Sequence, residues 1–289
     1  MQYEIKPLTE EEAEYVGARF YADGDSLSSF PEGEEERIVL KAVDGEGGFV
    51  GGCVLDVDCT KIAEFERLWV AEPYRRQGVG TALIRTAERM AAEKGCRTIV
   101  NAYTFDFQDA LPLFERLGYR LLGVSKDWPK GHEGYTLVKR PEASFGDFPH
   151  PAFARASFEI VPGSEEDGEI IRDRLETFNR RFAPRSHPYL DLDRKLLDGD
   201  GRLIAGCIAG VSGWDTAHID LLWIEPPFRG GDAGTVLLDA IEREARENGA
   251  YLARTEAPYG QTAFFLRHGY TVQVVYEDEP KWTVLQKRL

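Results

Sequence analysis

The hydropathy pattern changes period several times along the first 140 residues. YEIKPL (3–8) alternates as a strand does. Thr9 then opens an acidic helix start, TEEEAEYVGARFY, with Glu12 three residues on, where a carboxylate closes a capping box. Residues 24–35, GDSLSSFPEGEE, follow no period and read as loop or broken helix. ERIVLKAVD (36–44) and GGFVGGCVLDVD (47–58) are strand patterns joined at DGEG, a hairpin signal. AEFERLWVAE (63–72) alternates, with Phe65 on one face and Glu64 and Glu66 on the other. From Gly78 to Lys94 the period becomes helical, with Ala82, Leu83, Ala87, Met90 and Ala91 along one stripe, and Gly95 supplies the terminating glycine. CRTIVNAY, DALPLFERL, YRLLGVSK and YTLVKR read as strand, short helix, strand and strand. The predicted order is β-α-β-β-β-α-β-α-β-β. Its first strands are hairpin-linked and its middle strand–helix–strand is a right-handed parallel crossover, so the class is α/β (α+β) with a mixed sheet.

The pattern is then repeated. FERLWVAEPYRR (65–76) matches HIDLLWIEPPFRG (218–230) with Trp69 on Trp223, an offset of 154 that Cys53/Cys207 and Thr81/Thr235 share. RLGYRLLGV (116–124) matches RHGYTVQVV (267–275), and TLVKR and TVLQKR close the two halves. Each copy is domain-sized, so the chain divides into 1–140, a Pro- and Ala-rich linker at 141–156, and 157–289.

Length agrees: 289 residues suit two domains. A net charge of −15 opposes nonspecific binding to nucleic acid and is compatible with a cationic substrate. No apolar run reaches membrane-helix length, and the acidic opening MQYEIKPLTEEE has no signal-peptide core. Cys53, Cys59, Cys96 and Cys207 form no CxxC pair and stand near no histidine at ligand spacing, which reads as reduced thiols in a cytoplasmic protein without a metal site.

The candidate chemistry lies where the 63–72 strand turns into the long helix. Arg75, Arg76, Gln77, Gly78, Val79 and Gly80 bring positive charge and glycine freedom to a helix N-terminus whose first amides lack partners. That is a candidate diphosphate cradle; a glycine turn with solvated arginines is the alternative. It is not a P-loop, since no lysine follows Gly80, and RRQGVG lacks the dinucleotide fingerprint GxGxxG.

At this string, LWVAEPYRRQGVGTAL, the chain resembles motif A of the GNAT acetyltransferases, whose core is Arg/Gln-x-x-Gly-x-Gly/Ala. The preceding strand, the following helix and the exit LPLFERLGY (111–119) stand where that family has them. The resemblance covers nearly all of 1–140 and recurs, weaker, over about 157–289. It implies two GNAT-type domains, each with a mixed, mostly antiparallel, splayed central sheet flanked by helices. It also implies acetyl-CoA as cofactor and acetyl transfer to an amine. The amides of Gln77, Gly78, Val79, Gly80 and Thr81, with Arg75 and Arg76, would hold the diphosphate. The splayed strand edge at Leu68, Trp69 and Val70 would take the pantetheine arm, one of its amides polarising the thioester carbonyl.

An amine nucleophile must lose a proton. Glu66 stands where the family often has its base, with Glu64 as substrate anchor or alternate base; solvated strand carboxylates are the other reading. The family's usual tyrosine acid falls at Phe114 and its asparagine at Phe107, neither of which donates, which leaves Tyr103, Tyr119 or water. Gln108 and its counterpart Gln261 suit a structural role before the short helix. His132, in WPKGHEGY, borders the acceptor side. In the second copy Asp232 replaces Gly78, and its carboxylate is expected to repel phosphate and to cap the helix amides itself, leaving a degenerate site.

The leading expectation is a small amine acceptor, cationic like an aminoglycoside, polyamine or amino-acid derivative, acted on by the first copy. Protein amino groups are the other acceptor class. Chemistry in the second copy and a non-catalytic acetyl-CoA-binding module stay open. So does assembly, as a monomer (a pseudo-dimer of two domains) or a homodimer.

Overall fold

The computed structural model describes residues 3–23, 35–141, 157–276 and 281–289. Most of the expected loop at 24–35, and the expected linker beyond Pro141, lie outside the described residues. In chain order the elements are β1 (Glu4–Pro7), α1 (Glu10–Asp23), β2 (Glu36–Asp44), β3 (Phe49–Val57), β4 (Ile62–Val70), α2 (Val79–Glu93), β5 (Thr98–Phe105), α3 (Leu111–Arg116), β6 (Arg120–Lys126) and β7 (Glu133–Lys139). The second series is β8 (Phe158–Pro162), α4 (Glu165–Asn179), β9 (Leu190–Asp191), β10 (Arg194–Leu197), β11 (Leu203–Ser212), β12 (Thr216–Ile224), α5 (Ala233–Glu247), β13 (Leu252–Pro258), α6 (Thr262–Arg267), β14 (Thr271–Val275) and β15 (Trp282–Arg288). The predicted order holds in the first series, and the second adds one short strand, β9, between α4 and β10. Among the described residues no helix is long and apolar enough to cross a membrane.

Local chemistry explains the boundaries. The Thr9 amide donates to Glu12 Oε2 at 2.9 Å, and the Glu12 amide returns a bond to Thr9 Oγ1 at 3.3 Å, closing the capping box of α1. Ser164 and Asp167 repeat it at α4. The DGEG hairpin closes through the Asp44 and Gly48 backbones at 3.0 Å.

The compact bodies cut the chain elsewhere than the repeat does. One unit is residues 30–183; the other joins 1–29 to 184–289. Each sequence copy therefore gives its opening strand and helix to the other copy's sheet. The cause is strand pairing: β1 runs antiparallel to β10, Glu4 opposite Leu197, and β8 runs antiparallel to β2, with Ala42 opposite Ile160. The compact units therefore do not coincide with the sequence copies 1–140 and 157–289.

In the 30–183 unit the seven-stranded sheet has the order β6-β7-β5-β4-β3-β2-β8. Val79, Leu83, Ile84, Ala87 and Ala91 of α2 bury against one face with Phe65, Leu55, Ile99 and Phe114. On the other face Ile171 of α4 packs with Val39, Val54 and Trp69. Gly52 is what admits α4 so closely: a Cβ there would lie 2.5 Å from Ile171 Cδ1. The buried Glu88 on the α2 side is satisfied by two cations, Lys139 Nζ 3.0 Å from both its oxygens and Arg85 at 3.0 Å.

The other unit builds an eight-stranded sheet, β1-β10-β11-β12-β13-β15-β14, with β9 added to β11. Leu237, Leu238, Ile241 and Ala245 of α5 fill its core. Here α1 plays the part of α4, and a Cβ on Gly206 would lie 2.4 Å from Val16 Cγ2. Both sheets are mixed and mostly antiparallel, their parallel pairs being β4 with β5 and β12 with β13.

Candidate active site

Strand β4 parts from β5 early. Their parallel pairing runs through Ile62, Ala63 and Glu64, opposite Thr98, Ile99 and Val100, and goes no further. From Phe65 onward the edge of β4 toward β5 is open, so its amides lack ladder partners on that side. On the opposite edge β4 carries a bulge. Arg67 pairs Val54 and Phe65 pairs Leu55, which leaves Glu66 as the inserted residue. The insertion reverses the alternation: Ala63 and Phe65 face the α2 core, but beyond it Leu68 and Val70 do. Trp69 turns to the α4 side.

The strand ends at the glycine turn. Gly78 adopts φ 93°, ψ −9° as the N-cap of α2, a left-handed conformation that favours glycine. Arg76 is also left-handed, at φ 61°. No side chain caps α2, so its first-turn amides have neither an intrahelical nor a capping partner. A Cβ added to Gly80 would meet Leu113 Cδ2 at 3.4 Å and Val70 Cγ2 at 3.8 Å, ordinary contact distances. These features fit a diphosphate-bearing acetyl-CoA.

A cleft of about 380 Å³ follows the open edge and the turn. Of the residues picked out from sequence, Glu66, Leu68, Trp69, Val70, Arg75, Arg76, Gly78, Gly80 and Thr81 line it. Val79 buries its side chain in the core, so only its amide is available. Gln77 Nε2 donates to Pro73 O at 2.5 Å and braces the turn. Glu64 sits one step before the splay, opposite Val100, and is not among the lining residues. Nor is His132, whose Nδ1 lies 2.9 Å from Asp106 Oδ1 and whose ring meets Phe107 edge-on at 4.8 Å.

Arg75 and Arg76 differ in role. Arg75 Nε donates to Val70 O at 2.9 Å, and its guanidinium lies 5.0 Å from the centre of the Phe178 ring. It ties the strand end to the turn. Arg76 pairs with Asp109 across the cleft mouth, and Asp109 is itself left-handed, at φ 54°. The structure adds lining residues that sequence reasoning missed: Arg67, Asn101, Thr104, Asp109, Leu113 and Arg116, with Leu175 and Phe178 from α4. Thr104 Oγ1 donates to Asn101 Oδ1 at 2.8 Å beneath the splay. Gln108 takes its expected structural place, receiving the Phe105 amide at 2.9 Å and donating to Asn179 at 3.1 Å.

Burial pushes the Glu66 carboxyl above the ordinary glutamate range, and the Asp56 charge adds to it against the opposing pull of Arg67 and Arg37. A carboxylate so raised is a better proton acceptor near neutral pH. Among the donors left open by sequence, Tyr103 lines the cleft. Tyr119 is buried in the core against Phe65 and Phe114.

The second copy shares the scaffold and differs at the helix mouth. Ile208 pairs Leu221 and Ala209 pairs Ile219, so Asp220 is the inserted residue, and burial raises its carboxyl too. Arg229 Nε donates to Ile224 O at 2.8 Å, as Arg75 does to Val70. Gly230 is left-handed at φ 76°, but Asp232 has φ −93° and ψ −8°. The expected capping by Asp232 does not occur: its side chain makes no bond to the helix amides and instead accepts from the Tyr3 hydroxyl at 2.6 Å. A capping side chain reaches those amides from extended backbone, which Asp232 does not have. Thr235 Oγ1 is bound to His268 Nε2 at 2.9 Å, whereas its counterpart Thr81 lines the cleft.

Comparison with known proteins finds one family. The model of the acetyltransferase (GNAT) family matches residues 4–119 and again 153–270. Blasticidin-S acetyltransferase of Streptomyces morookaense is 35% identical over 96 residues, 33% of this chain and 69% of that protein. Probable N-acetyltransferase 14 of Xenopus tropicalis is 38% identical over 76 residues, 26% of this chain, which thus spans only 34% of that relative's length. A crystal structure of an acetyltransferase from Bacillus cereus is 31% identical, covering 47% of this chain and 96% of its own, at a TM-score of 0.42. With two matches that together span most of its length, the chain belongs to the GNAT family of acetyltransferases, enzymes whose cosubstrate is acetyl-CoA, and carries that family's unit twice.

Proposed function

We propose that the protein moves an acetyl group from acetyl-CoA to the primary amine of a small acceptor, with the chemistry in the cleft of the 30–183 unit. Bound acetyl-CoA supplies the acetyl group already activated as a thioester. The amides from Gln77 to Thr81, with Arg76, hold its diphosphate, and the open β4 edge at Leu68, Trp69 and Val70 takes the arm that leads to the thioester. Arg75 keeps strand and turn in register. Glu66 takes the proton of the acceptor's ammonium group, directly or through water. Tyr103 is the hydroxyl placed to return one. The boundaries 1–140 and 157–289 then mark duplicated sequence, not folded bodies.

The observation that carries this reading is the bulge. It sets a partly buried carboxylate of raised pKa on the wall of the cleft that the uncapped helix mouth opens. The test is Glu66→Gln, which should bind acetyl-CoA like the parent while transfer to amines falls by about 10²- to 10⁴-fold. Unchanged transfer would remove Glu66 from the role. Asp220, on the matching bulge, supports a second reading with chemistry in the other unit. Under that reading Asp220→Asn, and not Glu66→Gln, abolishes transfer.

A further inference from the structure

Arg67 is out of place for a strand residue. Its counterpart in the sister sheet, at the same offset of 154, is Leu221, a buried apolar side chain. Arg67 instead lines the cleft, next to the inserted Glu66. Other arginines of this unit are committed: Arg37 forks onto Asp56 at 2.7 and 2.8 Å, Arg75 is tied to Val70 and Arg76 to Asp109. Arg67 is partly buried, and its charge acts on the adjacent Glu66, against the rise of that carboxyl. No side-chain hydrogen bond holds the guanidinium among the described residues, and its five fixed N–H donors match an oxyacid anion in two-point contact. The diphosphate cradle lies beyond the end of β4, whereas Arg67 adjoins the proposed base.

We infer that Arg67 is an acceptor-recognition residue, and that the acceptor carries an anionic oxyacid group beside the amine presented to Glu66. The inference rests on the proposed transfer site and narrows its substrate class. The acceptor is cationic at its amine and anionic a few bonds away, as in an amino acid or an aminoalkyl phosphate. Leu175 and Phe178 form the apolar wall that faces the rest of it.

The test uses the full chain loaded with CoA, which forms a ternary complex without turnover. Calorimetric titrations compare phenylalanine with phenylalaninamide, and phosphoethanolamine with ethanolamine. The anionic member of at least one pair should bind about tenfold or more tightly, as a two-point charged contact implies. A preference confined to the first pair identifies a carboxylate, and one confined to the second a phosphate. Arg67→Leu, the residue of the sister sheet, should erase the preference, and Arg67→Lys should retain part of it, with CoA affinity unchanged in both. Equal affinities in the parent chain, no binding of any amine, or a preference that survives Arg67→Leu overturns the inference. A preference lost in Arg67→Leu while no acetyl group is ever transferred supports it and instead sinks the proposed transfer.

Discussion

A carboxylate that must collect a proton works best when water does not hold its charge too well. Glu66 meets that condition because one inserted residue places it on a partly desolvated wall beside the Asp56 charge. Its raised pKa fixes the sign of two effects. Activity should climb with pH along an acid limb lying above the ordinary glutamate value, and Glu66→Gln should lose that limb; a kcat/KM profile checks it. Stability runs the other way. At low pH both folded and unfolded states are protonated there. As pH rises from the ordinary value toward the raised one, the unfolded state ionises first and the folded state loses ground. Glu66→Gln should therefore melt at pH 7 no lower than the parent, and up to a few degrees higher, by calorimetry. A lower melting temperature would mean that the ionised carboxylate is held by favourable contacts.

The elements show what the sequence made legible. Thr9 and Glu12, the DGEG turn and the stripe on α2 carry their signals within a few residues, and each appears where the pattern puts it. The turn from Arg75 to Gly80 is as local, so the left-handed glycine at the mouth of α2 was legible. The bulge at Glu66 was not read: the adjacent polar pair Glu66 and Arg67 interrupts the alternation of EFERLW, but only the register of β3 shows that the interruption is an inserted residue. Arg67 was missed for that reason, since unbroken alternation would put it on the Phe65 side. Asp109 was missed because its partner Arg76 lies 33 residues away. That pair is exposed, with side-chain exposures of 72% and 70%, so it contributes little to stability. On the proposed reading Asp109 competes with the cofactor's phosphate for the same guanidinium. Asp109→Asn should leave the melting temperature within about a degree and tighten CoA two- to fivefold at low salt, the gain vanishing at high salt. Weaker binding would show that Asp109 instead orders Arg76 for the ligand.

At the scale of the whole molecule, duplication and exchange explain what no local reading finds. In the proposed reaction the first copy supplies the cradle and the base, and the second copy supplies α4, whose Leu175 and Phe178 line the same cleft. Leu175 and Phe178 are ordinary helix residues in sequence, and nothing near them signals a site 100 residues upstream. Phe178→Ala, a change in the second copy, should therefore raise the KM of the first copy's cleft by about tenfold, through the lost wall and the lost support of Arg75. Val16→Ala, a change in the first copy, should destabilise the other unit by about 2 kcal/mol, since Val16 packs on Gly206, and should leave CoA affinity intact. The reverse assignment of these effects would refute the exchange.

The measurement nearest the central claim is the calorimetric titration of CoA into the full chain and two variants. One bound CoA per chain is expected, lost in Gly78→Asp, where a carboxylate and a strained left-handed backbone meet the diphosphate, and kept in Asp232→Gly. Two CoA per chain, or full affinity in a folded Gly78→Asp variant, would contradict the assignment of the cofactor to the α2 mouth alone.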